Sequence, residues 1–340
     1  MPPEWANQSA ILIAWPHVGT DWSYMLDEVQ RCYTAIAEAI VADEHLIIVT
    51  PDTEGTSAQL SHITNKGRIR IVDIDTNDTW ARDFGPITIN VDGVTAFLDF
   101  KFNGWGLKFA ANKDNMINRQ LKEKHVLSCE LHNRLNFVLE GGSIESDGNG
   151  SIMTTSNCLL SPNRNGQMSK DEIEGYMKSQ LGAKQVLWVD FGELQGDDTD
   201  SHIDTLARFA PGNTIVYTRC QNSNDAHYEE LERMHRQISS FKNADRQPYQ
   251  LVTLPLPDPI YDKEGERLPA TYANFLITNH LVLMPTYNQP QNDNSAIQNL
   301  QRVFPNRKVV GIDCNALIKQ HGSLHCITMQ LLSNTTYFTL

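Results

Sequence analysis

A thiol, an imidazole, several carboxylates and an amide are scattered along this chain, and together they would make a reactive site if the fold gathered them. Cys326 follows His325 near the end of the sequence, after Gly322-Ser323-Leu324 and before Ile327-Thr328. The densest polar segment is Asp197-Asp198-Thr199-Asp200-Ser201-His202-Ile203-Asp204. His202 and Asp204 stand two apart, so on an extended backbone they face the same side. Asp83 ends Trp80-Ala81-Arg82-Asp83, ahead of the turn signal Gly85-Pro86. Glu140 abuts Gly141-Gly142, and Asn274 closes Tyr272-Ala273-Asn274.

Taken singly, each has an ordinary explanation. A buried cysteine is usually structural. An aspartate beside an arginine, as at Arg82-Asp83, is usually an ion pair. Glu140-Gly141-Gly142 reads as a turn, although paired glycines also permit close backbone approach. Trp80 suits a core, or a wall that flattens a planar cation. The acidic segment fits a solvated loop or a divalent-cation site. Against a metal, only this one segment supplies dense ligands, and no second histidine motif lies near it in sequence.

Taken together, the same groups define a reaction. A lone cysteine with a distant histidine is the pattern of a thiol nucleophile, because such partners meet in space rather than in sequence. A planar guanidinium donates paired hydrogen bonds to carboxylates on its edges, here Asp83 and Asp204. The bound cation would favour the Cys326 thiolate. Attack on the guanidinium carbon, with His202 as acid and then base, gives a ureido product and ammonia. That chemistry requires no metal and no organic cofactor.

These residues are punctuated by a repeat. Five strand–helix–strand units cover roughly residues 11–50, 94–130, 151–189, 214–254 and 280–313. The first predicts strands at 11–15 and 46–50, with a helix near 25–41 whose apolar face is Leu26, Val29, Tyr33, Ile36, Ala37 and Ile40. The third predicts a helix capped by Ser169 and Glu172 and stopped by Gly182. Further helices are expected near 226–239 and 294–304, and a weaker, polar one near 112–124. Asp83 lies 11 residues before Val94, Glu140 lies 11 before Ser151, and Asp204 lies 10 before Thr214. A regular doubly wound sheet gives no reason for that offset. A fixed repeat implies a closed or stacked array, and in a ring of five the polar motifs would meet near the axis. The α/β repeat argues for one body spanning 1–340.

Composition narrows the setting. The net charge of -13 speaks against a nucleic-acid partner and mildly favours a small cationic one. Hydrophobic content of 40% and charged content of 20% are ordinary for a soluble globular chain. There is no apolar run of about 18 residues, so no membrane helix is expected. The six cysteines form no CxxC pair, and no signal peptide is visible, so the chain reads as cytoplasmic with reduced thiols. Its oligomeric state is open, a homo-oligomer included. Residues 255–267, rich in proline and charge, read as a surface loop able to border or cover a site.

At these residues the chain resembles the agmatine deiminase family, close kin of the bacterial peptidylarginine deiminases. The likeness runs through Pro3-Glu4-Trp5, Ala14-Trp15-Pro16, residues 80–86, Asn103-Gly104-Trp105-Gly106, residues 139–143, Thr154-Thr155, Pro162-Asn163-Arg164-Asn165, residues 198–204, residues 272–275 and His325-Cys326-Ile327-Thr328. It implies the five-bladed, pseudo-symmetric α/β propeller of the guanidine-modifying enzymes, the pentein fold. It also implies hydrolysis of agmatine to N-carbamoylputrescine, a step of putrescine biosynthesis. By position it makes Cys326 the nucleophile, His202 the general acid/base, and Asp83 and Asp204 the guanidinium ligands, with Glu140 in the same pocket. Trp80 would line the substrate's alkyl chain, Asp198 would sit near its distal amine, and Asn274 and Gly322 would flank it near the nucleophile. The family's glycine run before the cysteine is replaced by Gln320-His321-Gly322-Ser323, and its usual glutamate by Asp198. Both departures fall where the substrate's tail is read. Deimination of peptidyl-arginine, amidino transfer and a non-catalytic binding role are the competing expectations.

Overall fold

The structure is a computed structural model that describes residues 1–332, 335 and 336. Its strands are β1 (Gln8–Ala14), β2 (His45–Thr50), β3 (Ile69–Asp73), β4 (Ile87–Val91), β5 (Val94–Lys101), β6 (Glu130–Val138), β7 (Ile144–Ser146), β8 (Ser151–Thr155), β9 (Gln185–Val189), β10 (Ala207–Ala210), β11 (Thr214–Arg219), β12 (Gln250–Pro255), β13 (Leu276–Ile277), β14 (Leu281–Thr286), β15 (Lys308–Asp313) and β16 (Met329–Leu332). They form five sheets, ordered β16-β1-β2-β3, β4-β5-β6, β7-β8-β9, β10-β11-β12 and β13-β14-β15. Every sheet repeats one pattern: a first strand antiparallel to the second, and a second parallel to the third. The parallel pairs are the predicted units, joined by helices because parallel strands need a long crossover.

The sequence reading missed the first strand of each sheet. β13 has two residues and β7 three, too short to show a period of two. These strands explain the offsets. Asp83, Glu140, Asp204, Asn274 and Cys326 each stand a few residues ahead of β4, β7, β10, β13 and β16, and after the first four a hairpin leads into the predicted unit. Cys326 therefore belongs to the sheet that opens the chain, since β16 pairs with β1. The first sheet also carries an unexpected parallel edge strand, β3.

The helices bury the expected faces. Leu26–Asp43 buries Val29, Tyr33, Ile36, Ala37 and Ile40. Lys170–Leu181 has the full capping box of Ser169 and Glu172, and Gly182 ends it in the left-handed region at φ 68°. The helix near 226–239 is Tyr228–Ile238. The helix expected at 294–304 starts earlier, Pro290–Val303, with proline in its first turn, where its missing N–H costs nothing. The polar segment at 112–124 is a short turn and a helix, Ile117–Glu123. It looks polar because Asn118 is one of its inward groups, donating to Phe84 O (2.8 Å) and Asp99 Oδ1 (2.9 Å). Among the described residues no helix is long and apolar enough to cross a membrane.

Candidate active site

Asp83 sits in the one-turn helix Ala81–Phe84 and is buried. Its Oδ1 accepts from Gly142 N (3.0 Å) and its Oδ2 from Trp105 Nε1 (2.9 Å). The second bond depends on strained backbone. Trp105 has φ 54°, where a bulky residue is an outlier, and Asn103 Oδ1 caps Gly106 N at 3.0 Å. Gly104 (φ 69°) must be glycine here, since a Cβ would lie 2.2 Å from Phe109 O. Around Asp83 the other motifs close in. A Cβ on Gly142 would lie 2.6 Å from His202 Nδ1, 2.8 Å from Asp83 Oδ1 and 3.1 Å from Asp204 Oδ2. The glycine is needed for space rather than for an unusual φ.

His202 and Asp204 do not lie on an extended segment: residues Ile203–Thr205 form a tight helical turn. The acidic segment before them is stitched to itself and to two cations. Asp197 accepts from Thr199 Oγ1 and from Ser201 N, both at 2.6 Å. Asp200 meets Lys108 Nζ (2.7 Å) and Arg164 Nη1 (2.5 Å). His202 Nδ1 is 3.6 Å from Asp83 Oδ1. Neither ring nitrogen of this buried histidine, nor Asp204 Oδ1, has a hydrogen-bond partner among the described residues.

The Cys326 loop is anchored by Asn274. Its Oδ1 accepts from His325 N (2.9 Å), Cys326 N (3.3 Å) and the Cys326 thiol (3.3 Å). Cys326 Sγ is 4.0 Å from Asp204 Oδ2. Asn274, Glu140, His202 and Asp204 are all buried, and none of the four lines the cleft that reaches Cys326. Both carboxylate oxygens of Glu140 accept from Arg164 Nε, at 2.9 and 3.1 Å.

That cleft encloses about 500 Å³, partly open to solvent. Asp83, Trp80, Trp105, Gly322 and Cys326 line its inner part, and Asp21, Asp78, Asp197, Asp198, Gln320 and His321 its mouth. Trp80 is braced by Trp22, with ring centroids 5.7 Å apart, and by its Nε1 bond to Asp78 Oδ2 (3.1 Å). Gly322 lies flat against it, and a Cβ there would come within 2.1 Å of the indole. Residues 255–267 contribute nothing to the lining. Arg267 instead forks onto Asp225 at 2.8 and 2.9 Å.

Burial and mutual charge set the protonation states. Burial pushes Asp83 up to about 6, against the pull of His202. Burial would lower His202, but Asp83, Cys158 and Glu140 around it push it up to about 10. Asp204 is held below the usual carboxylate range: burial opposes this, and the hydrogen bond from His325 overcomes it. Burial, then the charges of Asp204 and Asp83, push the Cys326 thiol well above its ordinary value.

Behind the site lies a second buried cluster that sequence reasoning did not find. Glu4 Oε2 meets His325 Nε2 (2.7 Å) and Arg208 Nη2 (2.6 Å), and Arg208 Nε bonds Glu145. His325 Nδ1 meets Asp204 Oδ2 at 2.7 Å, and Arg208 donates to the carbonyl oxygens of Ala273 and Phe275 on either side of Asn274, so the cluster braces the site from behind. The only sequence signal for Glu4 and Arg164 was their place in resembling motifs; Arg208 and Glu145 gave none. Among the described residues two groups of side chains have metal-like spacing, Glu140–Cys158–His202 and Glu4–Glu145–His325. In each the glutamates are already engaged by a guanidinium, Arg164 or Arg208, which occupies the lone pairs a metal would need.

Residues 1–331 match the Porphyromonas-type peptidyl-arginine deiminase family. The chain belongs to that family. A Shewanella sp. (strain MR-7) relative, provisionally named agmatine deiminase, is 33% identical, with 98% of this chain and 94% of that one covered. Among solved structures, a Porphyromonas gingivalis protein provisionally named arginine deiminase is 48% identical, with 98% of each chain covered and a TM-score of 0.94. A cysteine-to-serine variant of C. jejuni agmatine deiminase with substrate bound is 37% identical, covering 97% of this chain and 95% of that one, with a TM-score of 0.90. These relatives support a guanidino-group deiminase, a hydrolase.

Proposed function

We propose that the protein hydrolyses agmatine to N-carbamoylputrescine and ammonia, on five sheets closed as the blades of a pentein propeller. One observation carries the reading. His202 and Asp204 hold three buried, unpartnered polar atoms beside Asp83 and Cys326, and buried polar groups demand partners. A guanidinium supplies donors for the carboxylates. The cleft mouth supports an amine-ended tail, because Asp21, Asp78, Asp197 and Asp198 line it and no lysine or arginine does. An arginine carboxylate would meet repulsion there.

In the proposed reaction, guanidinium binding between Asp83 and Asp204 brings positive charge to Cys326, whose thiol loses its proton to solvent. The thiolate attacks the guanidinium carbon. Protonated His202 gives its proton to the leaving nitrogen, ammonia departs, and an S-alkylthiouronium remains. Neutral His202 then takes a proton from water as its oxygen adds to the same carbon. The C–S bond breaks, the thiolate is restored, and the second proton of water leaves to solvent with ammonia. Asn274 holds the loop that presents the thiol, Glu140 helps keep His202 charged, and Trp80 and Gly322 wall the alkyl chain.

The name of the P. gingivalis structure favours a second substrate, arginine, free or in a peptide. Purified protein should therefore be given agmatine, arginine and a peptidyl-arginine, with ammonia and ureido product measured. Turnover of agmatine alone, lost in Cys326→Ser, is the expected result. Turnover of arginine or the peptide in its place overturns the substrate, and no turnover by folded protein overturns the activity.

A further inference from the structure

A second thiol stands beside the proposed acid/base. Cys158 is fully buried and does not line the cleft, so it has no path to a substrate and cannot replace Cys326 as nucleophile. Local structure fixes its place. It lies in the one-turn helix Ser156–Leu159 that follows β8, and Thr155 Oγ1 caps that turn by accepting from Cys158 N (3.3 Å). The Cys158 sulfur, a Glu140 carboxylate oxygen and a His202 ring nitrogen lie within 4.8 Å of one another.

The unpartnered nitrogens of His202 define what is needed there. A charged imidazole carries two N–H donors and no acceptor. Nδ1 lies 3.6 Å from Asp83 Oδ1. A bound guanidinium brings only donors, so it satisfies neither N–H. Glu140 already takes Arg164 Nε on both oxygens, at 2.9 and 3.1 Å. The Cys158 sulfur is a neutral acceptor, since burial pushes its thiol up against the pull of Arg164 and His202.

We infer that Cys158 is a positioning residue for His202, its sulfur accepting the imidazole N–H turned away from the substrate. The bond made by one ring nitrogen decides which tautomer the other presents. A neutral acceptor suits a group that gives a proton and then takes one, because it aims the ring without a full negative charge that would hold the proton back. The inference rests on the proposed deiminase reaction and adds a residue to its proton transfer. The other groups facing His202 are the carboxylates of Asp83, Asp204 and Glu140, with Arg164 bound to Glu140 and the Cys326 thiol near Asp204. After Asp83, Cys158 does most to hold His202 up at about 10.

The test follows kcat and KM against pH with agmatine and with butylguanidine, which has the same guanidinium and alkyl chain but no amine to titrate. Charged His202 protonates the leaving nitrogen, so kcat falls as pH rises through its pKa. In Cys158→Ala that alkaline fall should begin about 0.5–1 pH unit lower, with kcat near neutral pH down about three- to tenfold and KM nearly unchanged. The acid limb, set by Asp83 at about 6, should stay in place. Cys158→Ser keeps an acceptor and should restore most of the loss. Cys158→Val, which fills the space without an acceptor, replaces the alanine variant if that one fails to fold. An unmoved alkaline limb, or an equal shift in Cys158→Ser, overturns the role of Cys158 and leaves the deiminase reading intact. Absence of native turnover with both substrates overturns that reading, and nitrogen NMR of the imidazoles then decides the contact by itself. The His202 signal, identified by its loss in His202→Gln, should titrate at lower pH in Cys158→Ala, and an unmoved titration overturns the contact.

Discussion

Two histidines, both buried, sit on either side of Asp204 and are used in opposite ways. His325 has a carboxylate oxygen 2.7 Å from each ring nitrogen, Asp204 on one side and Glu4 on the other. His202 has neither nitrogen partnered among the described residues, although Asp83 lies 3.6 Å away. The first is the centre of a closed network with Glu4, Arg208 and Glu145; the second belongs to an open one. A buried polar network stabilises only when its members are satisfied. The closed cluster is therefore scaffolding that fixes the Cys326 loop from behind. The open cluster carries a cost, of which a guanidinium would remove the part at Asp204 Oδ1, and folds tolerate such costs where function requires them.

The largest effect that would sharpen this contrast is His202→Gln. Loss of its acid/base role should lower kcat about 10²- to 10⁴-fold, with little change in unfolding midpoint. A variant that unfolds easily yet turns over normally would reverse the assignment of the two histidines. The matching cut in the closed cluster is Arg208→Met. It removes the cation that Glu145 faces and leaves Glu4 only His325 and the more distant Arg82, 3.8 Å away, which should cost about 3–5 kcal/mol in urea unfolding. If unfolding is unmoved, the closed cluster does not hold the fold.

How far this contrast could be read from sequence depends on distance along the chain. The parallel strand pairs were legible because each is an apolar run flanking a periodic helix. The antiparallel first strands were not, because two to five residues give no periodicity. Cys326, His202, Asp83 and Asp204 were legible as a set because the repeat placed them at equivalent points. Arg208 and Glu145 were invisible and Glu4 was only part of a resembling motif, since the three lie at positions 208, 145 and 4 and become a cluster only when β7, β10 and the start of the chain meet. The purpose of Gly142 was hidden too: a glycine pair reads as a turn until the three side chains converging on it are seen.

Acid separates the two clusters next. Asp83 must be ionised to hold a guanidinium, so kcat/KM should fall about tenfold per pH unit below about 6. Its folded pKa lies above its unfolded value, so the folded state takes up this proton more readily. Protonation across that window favours folding, and the activity loss should reverse on returning to neutral pH. Asp204 is shifted the other way, so its stabilisation is present above its unfolded value and is lost only as pH falls through its lowered one. A pH–rate profile read beside a pH–unfolding profile checks the order. Coincident loss of activity and structure near pH 6 would contradict it.

The smallest effect lies at the mouth, where solvent weakens every charge. Asp198 is 46% exposed at its side chain, and an interaction with an ammonium there is worth about 1 kcal/mol or less. Asp198→Asn should therefore raise the KM for agmatine by up to about fivefold, a change far below that at His202. Added salt should narrow the gap between native and variant enzyme, since exposed charges are screened. The gap should also be smaller for butylguanidine, which offers no ammonium. An equal change for both substrates would mean that Asp198 shapes the loop ending at His202 rather than reads the tail, and that the specificity of the cleft lies with Asp21 and Asp78, which also line it.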